Sequence, residues 1–213
     1  MATSSVIENL LRGKVEKWRI GAADAARSEF EVASVFDNGK GKYRYFYDCE
    51  FIEDGTTIDL VSIAVVDEQG REFYAVSTEF NPDKAIDWVR QNVLNKLPSP
   101  ASPLWMDRRA IRDRLYEFLV EPVRKSGKNH AGNRIELWAW FGAYDHVAFA
   151  QLWGAMPDLP RVLPRMTKDL RQRWDDLGRP ALPAADGDLH DALADAKLNL
   201  KRWDAMETAR RMG

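Results

Sequence analysis

Residues 45 to 51 read YFYDCEF, a run with the apolar, aromatic character of a buried strand that nevertheless carries two acids, Asp48 and Glu50. Side chains at i and i+2 of a strand project from the same face, so both carboxylates converge on one point while Cys49 turns the other way. Two anions on such a strand repel each other and lose hydration. The arrangement persists where a cation sits between them, or where that face of an edge strand lies in water. Any fold of this chain must therefore bring solvent or positive charge to the middle of its first strand.

The surrounding pattern places that strand at the head of an α/β domain. From Arg44 to Val76 the spacing predicts three strands joined by tight turns, with Asp54-Gly55 as a strong hairpin signal and Glu68-Gln69-Gly70 as a second. A helix is expected over Asp83 to Leu94, then a loop marked by prolines 98, 100 and 103. Asp107 is placed to cap a helix carrying Ile111, Leu115, Phe118 and Leu119 on one face. A short buried strand is expected over Ile135 to Phe141, followed by helices over Tyr144 to Trp153, Thr167 to Leu177 and Leu189 to Met212. Residues 1 to 42 read differently: two helical stretches, one capped by Ser4 or Ser5 and one from Asp24 to Val35, precede a DNGKGK joint. They are expected to form an N-terminal helical extension of unknown role, with residues 43 to 213 as the main domain.

Three more residues join the pair. Asp145 lies in ELWAWFGAYDHVAF, where an apolar strand runs into a helix, and His190 and Asp195 lie in HDALADA near the C-terminus. Acid-x-acid on a first strand, an Asp after a later strand and HxAxxDA opening a final helix resemble the DEDDh branch of the DEDD 3′-to-5′ exonucleases. Within that branch, RYFYDCEFIEDGTTIDLVSIAVV, REFYAVSTEF, ELWAWFGAYDHVAFAQLWG and LHDALADA are similar to the ribonuclease AS group, exoribonucleases that prefer adenylate-containing RNA. The resemblance runs from Tyr43 to about Trp203. It implies a ribonuclease H-like α/β fold, with a mixed sheet led by an antiparallel meander and flanked by helices. It also implies a homodimer.

The chemistry of such enzymes explains the residue types. Phosphodiester hydrolysis needs an in-line water and stabilisation of charge on the phosphoryl and leaving oxygens, which two divalent ions provide symmetrically. Asp48, Glu50, Asp145 and Asp195 supply four negative charges, which two divalent ions balance, and all-oxygen ligation favours Mg2+, with Mn2+ as a substitute, over zinc. His190 is the expected general base, since imidazole titrates close to neutral pH. Positions five apart do not share a helical face, so His190 is expected on the flank and Asp195 in the first turns. Asp191 is the rival ligand should the helix start earlier, and His146 is the rival base. Phe51, Trp140 and Phe141, next to the acids, are candidates to stack on terminal bases.

Composition sets limits. With 31 basic and 33 acidic side chains the formal charge is −2, which neither supports nor excludes RNA, because an enzyme gripping a strand end need neutralise only a few phosphates. One cysteine, Cys49, rules out an internal disulfide framework and suits a reducing cytosol. No apolar run is long enough to span a bilayer, and the first residues lack the order of a secretory signal. The expected activity is metal-dependent 3′-to-5′ degradation of single-stranded RNA to nucleoside 5′-monophosphates in the cytoplasm. The alternatives are a DNA 3′-to-5′ exonuclease and a non-catalytic RNA-binding module.

Overall fold

In the computed structural model, which describes residues 41–126, 134–185 and 190–212, the acidic strand is the centre of the sheet rather than its edge. Strands β1 (Tyr43–Glu53), β2 (Ile58–Asp67) and β3 (Glu72–Ser77) form an antiparallel meander. On the far side of β1 lies a parallel strand, β5 (Ile135–Ala139), and beyond it β6 (Lys168–Asp169); β4 (Trp105–Met106) pairs in parallel with β3. The spatial order is β4-β3-β2-β1-β5-β6, an α/β mixed sheet in a ribonuclease H-like arrangement. The first hairpin follows from local chemistry. Gly55 adopts φ 78°, and the Asp54 carboxylate accepts from the Thr56 and Thr57 N–H groups.

Among the described residues five α-helices accompany the sheet: α1 (Asp87–Asn92), α2 (Arg108–Lys125), α3 (Ala143–Gln151), α4 (Leu170–Asp176) and α5 (Ala192–Met212). The Asp107 side chain accepts from Ala110 N–H as the α2 cap, and Ile111, Leu115 and Leu119 are buried behind it. The alternation of β1 assigns each helix a face. Tyr45 donates its hydroxyl to the Leu119 carbonyl of α2, and Tyr47 packs on Phe149 of α3. Phe46, on the other face with Asp48 and Glu50, packs with Trp138, Leu170, Trp203 and Met206 under α4 and α5. Ala192 and Ala196 of α5 rest on Ala64 and Val66 of β2, so small side chains let this helix approach the sheet closely.

Four segments differ from expectation. The helix expected over residues 83 to 94 is broken into 3-10 turns at Pro82–Lys84 and Leu94–Lys96 around the short α1, with Ala85 and Ile86 extended between them. No residue of α1 is buried, so no apolar face sustains a longer helix, while Ala85 drops into a cluster with Ile52, Val61 and Val93. Strand β5 stops at Ala139, and Phe141 turns at φ 56°. Lys168 and Asp169 pair with Trp138 and Ala139 instead of opening a helix, which starts after Asp169 caps it by accepting from Arg171 and Gln172 N–H. The two-residue β4 was not anticipated, because a proline-rich loop leaves no periodic signal. The expected N-terminal helices lie outside the described residues; Lys42–Gly213 forms a compact unit by itself. Among the described residues no helix is long and apolar enough to cross a membrane.

Gly142, at the entry to α3, sits where a Cβ would lie 2.7 Å from Thr167 Cγ2 and 2.8 Å from Ala139 Cβ. Gly142→Ala is expected to lower stability by about 1–3 kcal/mol through overpacking. Asp107→Ala, which removes only a cap, should cost about 1 kcal/mol. Urea unfolding of the two variants checks the order, and an unaffected Gly142→Ala would contradict the tight approach.

Candidate metal centre and active site

Three of the expected acids meet. One oxygen each from Asp48 and Glu50 on β1 and Asp195 on α5 lie within 4.8 Å of one another, and all three side chains are partly buried. Opposed oxygens on an octahedral magnesium ion stand about 4.2 Å apart, twice the 2.1 Å bond, so the spacing of this set is close to that of a shared cation. The donors are all carboxylate oxygens, which fit magnesium or manganese and not a thiolate-seeking metal. The pairing of β1 with β2 slips by one residue directly after Glu50, where Val61 is the extra residue, so the ladder is interrupted beside the cluster.

Asp145 is placed differently. It lies in the first turn of α3, 6 % exposed, and its Oδ1 accepts from Cys49 N–H at 2.7 Å, the backbone link between the two acids of β1. It is a close neighbour of the three-oxygen cluster and not part of it as its side chain stands. Asp191 caps α5 by accepting from Ala194 N–H, and helix begins at Ala192, which leaves Asp195 in the first turn. His190 stands just before the helix at φ 68°, a conformation uncommon for a residue with a Cβ. Its backbone N–H donates to Asp195 Oδ2 at 2.8 Å, and its ring meets Trp88 edge-on at 4.7 Å between centroids. His146 is engaged elsewhere: its Nδ1 lies 3.0 Å from Thr167 Oγ1, which also meets the Tyr47 hydroxyl.

The aromatic candidates separate. Phe51 stacks on Tyr144 at 5.9 Å, and Phe141 is 64 % exposed. Trp140 is half-buried against Phe141 and Trp174, with the Arg202 guanidinium over its ring. Sequence reasoning missed Trp88, Tyr144, Asn199 and Arg202. Asn199 and Arg202 had a usable signal, since they follow Asp195 at i+4 and i+7 and so share its helical face. Trp88 had none, because its contact with His190 is made across a hundred residues.

Electrostatics follow from this crowding. Desolvation, reinforced by Asp145, Glu50 and Asp195, pushes the Asp48 carboxyl well above its ordinary range. Burial, with Asp195 and Asp145 beside it, raises Glu50 to about 8. Burial raises Asp145 to about 7, against the opposing hydrogen bond from Cys49. A carboxyl raised on folding holds a proton that the unfolded chain has released. Without metal, stability therefore falls as pH rises from about 4.5, the ordinary glutamate value, to about 8. In EDTA the melting temperature is expected to climb on acidification from pH 8 towards pH 5, by about 2–4 °C for each kcal/mol of relieved repulsion. Magnesium, binding the ionised acids, should stabilise more at pH 8 than at pH 6. Scanning fluorimetry across this range checks both, and a metal-free melting temperature that rises with pH would contradict the cluster.

Comparison with known proteins identifies the family. A family model described as the 3′-5′ exoribonuclease Rv2179c-like domain matches residues 43–206. The 3′-5′ exoribonucleases Rv2179c and MT2234.1, from two strains of Mycobacterium tuberculosis, are each 58 % identical to this chain over 160 residues. Each alignment covers 75 % of this chain and 90 % of the relative. E. coli exonuclease I, solved with a dT13 oligonucleotide, shares the fold with a TM-score of 0.54 at 11 % identity. That match covers 80 % of this chain but only 42 % of the larger enzyme. The chain thus belongs to the Rv2179c-like 3′-5′ exoribonuclease domain family.

Proposed function

We propose that this protein is a metal-dependent 3′-to-5′ exoribonuclease that removes nucleoside 5′-monophosphates from single-stranded RNA ends, with preference for adenylate. The observation that carries the reading is the convergence of Asp48 and Glu50 with Asp195, which follows Glu50 by 145 positions in sequence, on one oxygen-lined point. Asp48, Glu50 and Asp195 would hold one divalent cation, and Asp145, through the oxygen not bound to Cys49, would help to hold a second. Two such ions supply charge neutralisation at the phosphoryl group and the leaving oxygen. Magnesium is the expected ion and manganese its substitute.

The chain's own residues supply the rest. His190 takes a proton from the attacking water as the water oxygen bonds to phosphorus and the bond to the 3′ oxygen breaks; the departing 3′ oxygen takes up a proton. The Asp195 carboxylate, by accepting from His190 N–H, ties the base to the ligand set. Phe51 with Tyr144, Trp140 and Phe141 offer rings on which terminal bases stack, each worth about 1–3 kcal/mol. The resemblance to the ribonuclease AS group supports the adenylate preference and a homodimer, the latter testable by light scattering.

Purified protein is expected to shorten an RNA with a free 3′ hydroxyl stepwise in magnesium, to spare the same RNA with a blocked 3′ end, and to stop in EDTA. An adenylate tail should be shortened faster than a uridylate tail, and RNA faster than matched DNA. His190→Ala should slow turnover by about 10²- to 10⁴-fold while magnesium binding is retained. Equal decay of blocked and free ends would contradict the reading.

A further inference from the structure

We propose that Arg202 is a phosphate clamp, a positioning residue whose guanidinium grips a backbone phosphate of the RNA strand beside the carboxylate cluster. The proposal rests on the nuclease reading above and assigns a residue to it. Asp195, Asn199 and Arg202 stand at i, i+4 and i+7 on α5 and therefore line one face. Asn199 is 1 % exposed and fastens that face to the sheet: its Nδ2 donates to the Tyr47 carbonyl at 3.1 Å, one residue before Asp48. Its Oδ1 accepts from Arg202 Nη1 at 3.2 Å. The guanidinium carbon lies 4.3 Å from the centre of the Trp140 ring. Arg202 is thus held from two sides, with its charge felt at Asp48 and Asp195.

What it lacks is an anion of its own. Five other arginines among the described residues lie over aromatic rings: Arg44, Arg71, Arg171, Arg173 and Arg179. Each of these also forms an ion pair with a carboxylate, namely Glu68, Asp67, Asp175, Glu207 and Asp175. Arg202 forms none within salt-bridge distance among the described residues, and Asn199 takes one of its five N–H donors. No nitrogen of Arg202 is both buried and without a partner, so its remaining donors stay open to an incoming oxyanion, which a guanidinium binds more strongly than it binds water. The nearby acids serve the cations, so the missing partner is the strand that the cations engage. A planar fork held over the Trp140 ring suits the bidentate recognition of a phosphate.

The test is steady-state cleavage of a 3′-hydroxyl oligoribonucleotide by wild type, Arg202→Gln and Arg202→Lys over a range of salt concentrations at fixed magnesium. Arg202→Gln should raise KM by about 10- to 100-fold, the loss of one charge-assisted contact, with a smaller change in kcat. Its dependence of log(kcat/KM) on log[salt] should be shallower by about 0.7, one phosphate on a single strand. Arg202→Lys should keep the wild-type slope with an intermediate KM. A slower Arg202→Gln with the wild-type salt slope would overturn the clamp and leave Arg202 an internal scaffold. If Arg202→Gln does not fold, neutral methylphosphonate linkages placed singly at the two positions upstream of the scissile bond keep the question open to refutation. One of them should slow the wild-type enzyme about tenfold or more and slow Arg202→Lys less; indifference at both overturns the proposal. Wild-type protein that leaves RNA intact in magnesium would refute the nuclease reading itself, whereas active wild type beside an indifferent Arg202→Gln refutes only the clamp.

Discussion

Mutual repulsion among desolvated carboxylates is the constraint around which this domain is organised. Asp48 and Glu50 lie on an interior strand, paired with β2 on one side and just past the end of its pairing with β5 at Phe46, and α5 brings Asp195 to within 4.8 Å of them. Water reaches such a place poorly, and like charges there act through a low effective dielectric. The fold holds the acids together by force of packing elsewhere. Ala192 and Ala196 fit α5 against Ala64 and Val66, and Phe46, Trp138 and Trp203 fill the same face of the sheet beyond the cluster. The raised carboxyls of Glu50 and Asp145 are the direct consequence.

Two of the three non-glycine residues with positive φ among the described residues stand beside the same place; the third, Arg179, follows α4. Phe141 and His190 both adopt left-handed backbone conformations, and they open the two helices that deliver Asp145 and Asp195. Each conformation carries a penalty of about 1–3 kcal/mol that only surrounding structure can sustain. Gly142, pressed against Thr167 and Ala139, and the Tyr47–Thr167–His146 hydrogen bonds form the rigid underside that sustains it at Asp145. At Asp195 the supports are Asp191, which caps the helix, and Asn199, which ties it to β1. Both left-handed residues beside the acids thus have support from packing and hydrogen bonds around them.

Much of this was legible in the sequence because it depends on short-range patterning. Strand-like runs between turn signals identified β1 to β3, with Asp-Gly and Gly70 marking their turns, and Asp107 before an apolar stripe announced α2. The candidate acids were legible because acids in an apolar strand are conspicuous against any bland background. What escaped depends on tertiary choices. The segment from Pro82 to Lys96 has helical composition, but only Ala85 and Val93 within it are buried, so it breaks into short turns. Lys168 and Asp169 become a strand because β5 offers an open edge. The commitment of Asp145 Oδ1 to the Cys49 amide, and the contact between Trp88 and His190, arise only once the sheet and the helices are in place.

The central claim is that Asp48, Glu50 and Asp195 are gathered to bind divalent metal. Its most direct test is a crystal of the protein soaked in manganese, with anomalous scattering used to find the ions. The account predicts a strong peak bridged by oxygens of these three side chains, with a second peak towards Asp145 when a nucleoside monophosphate is added. Manganese at saturating concentration that leaves the three-carboxylate cluster without a peak, or that settles only on surface acids, would contradict it.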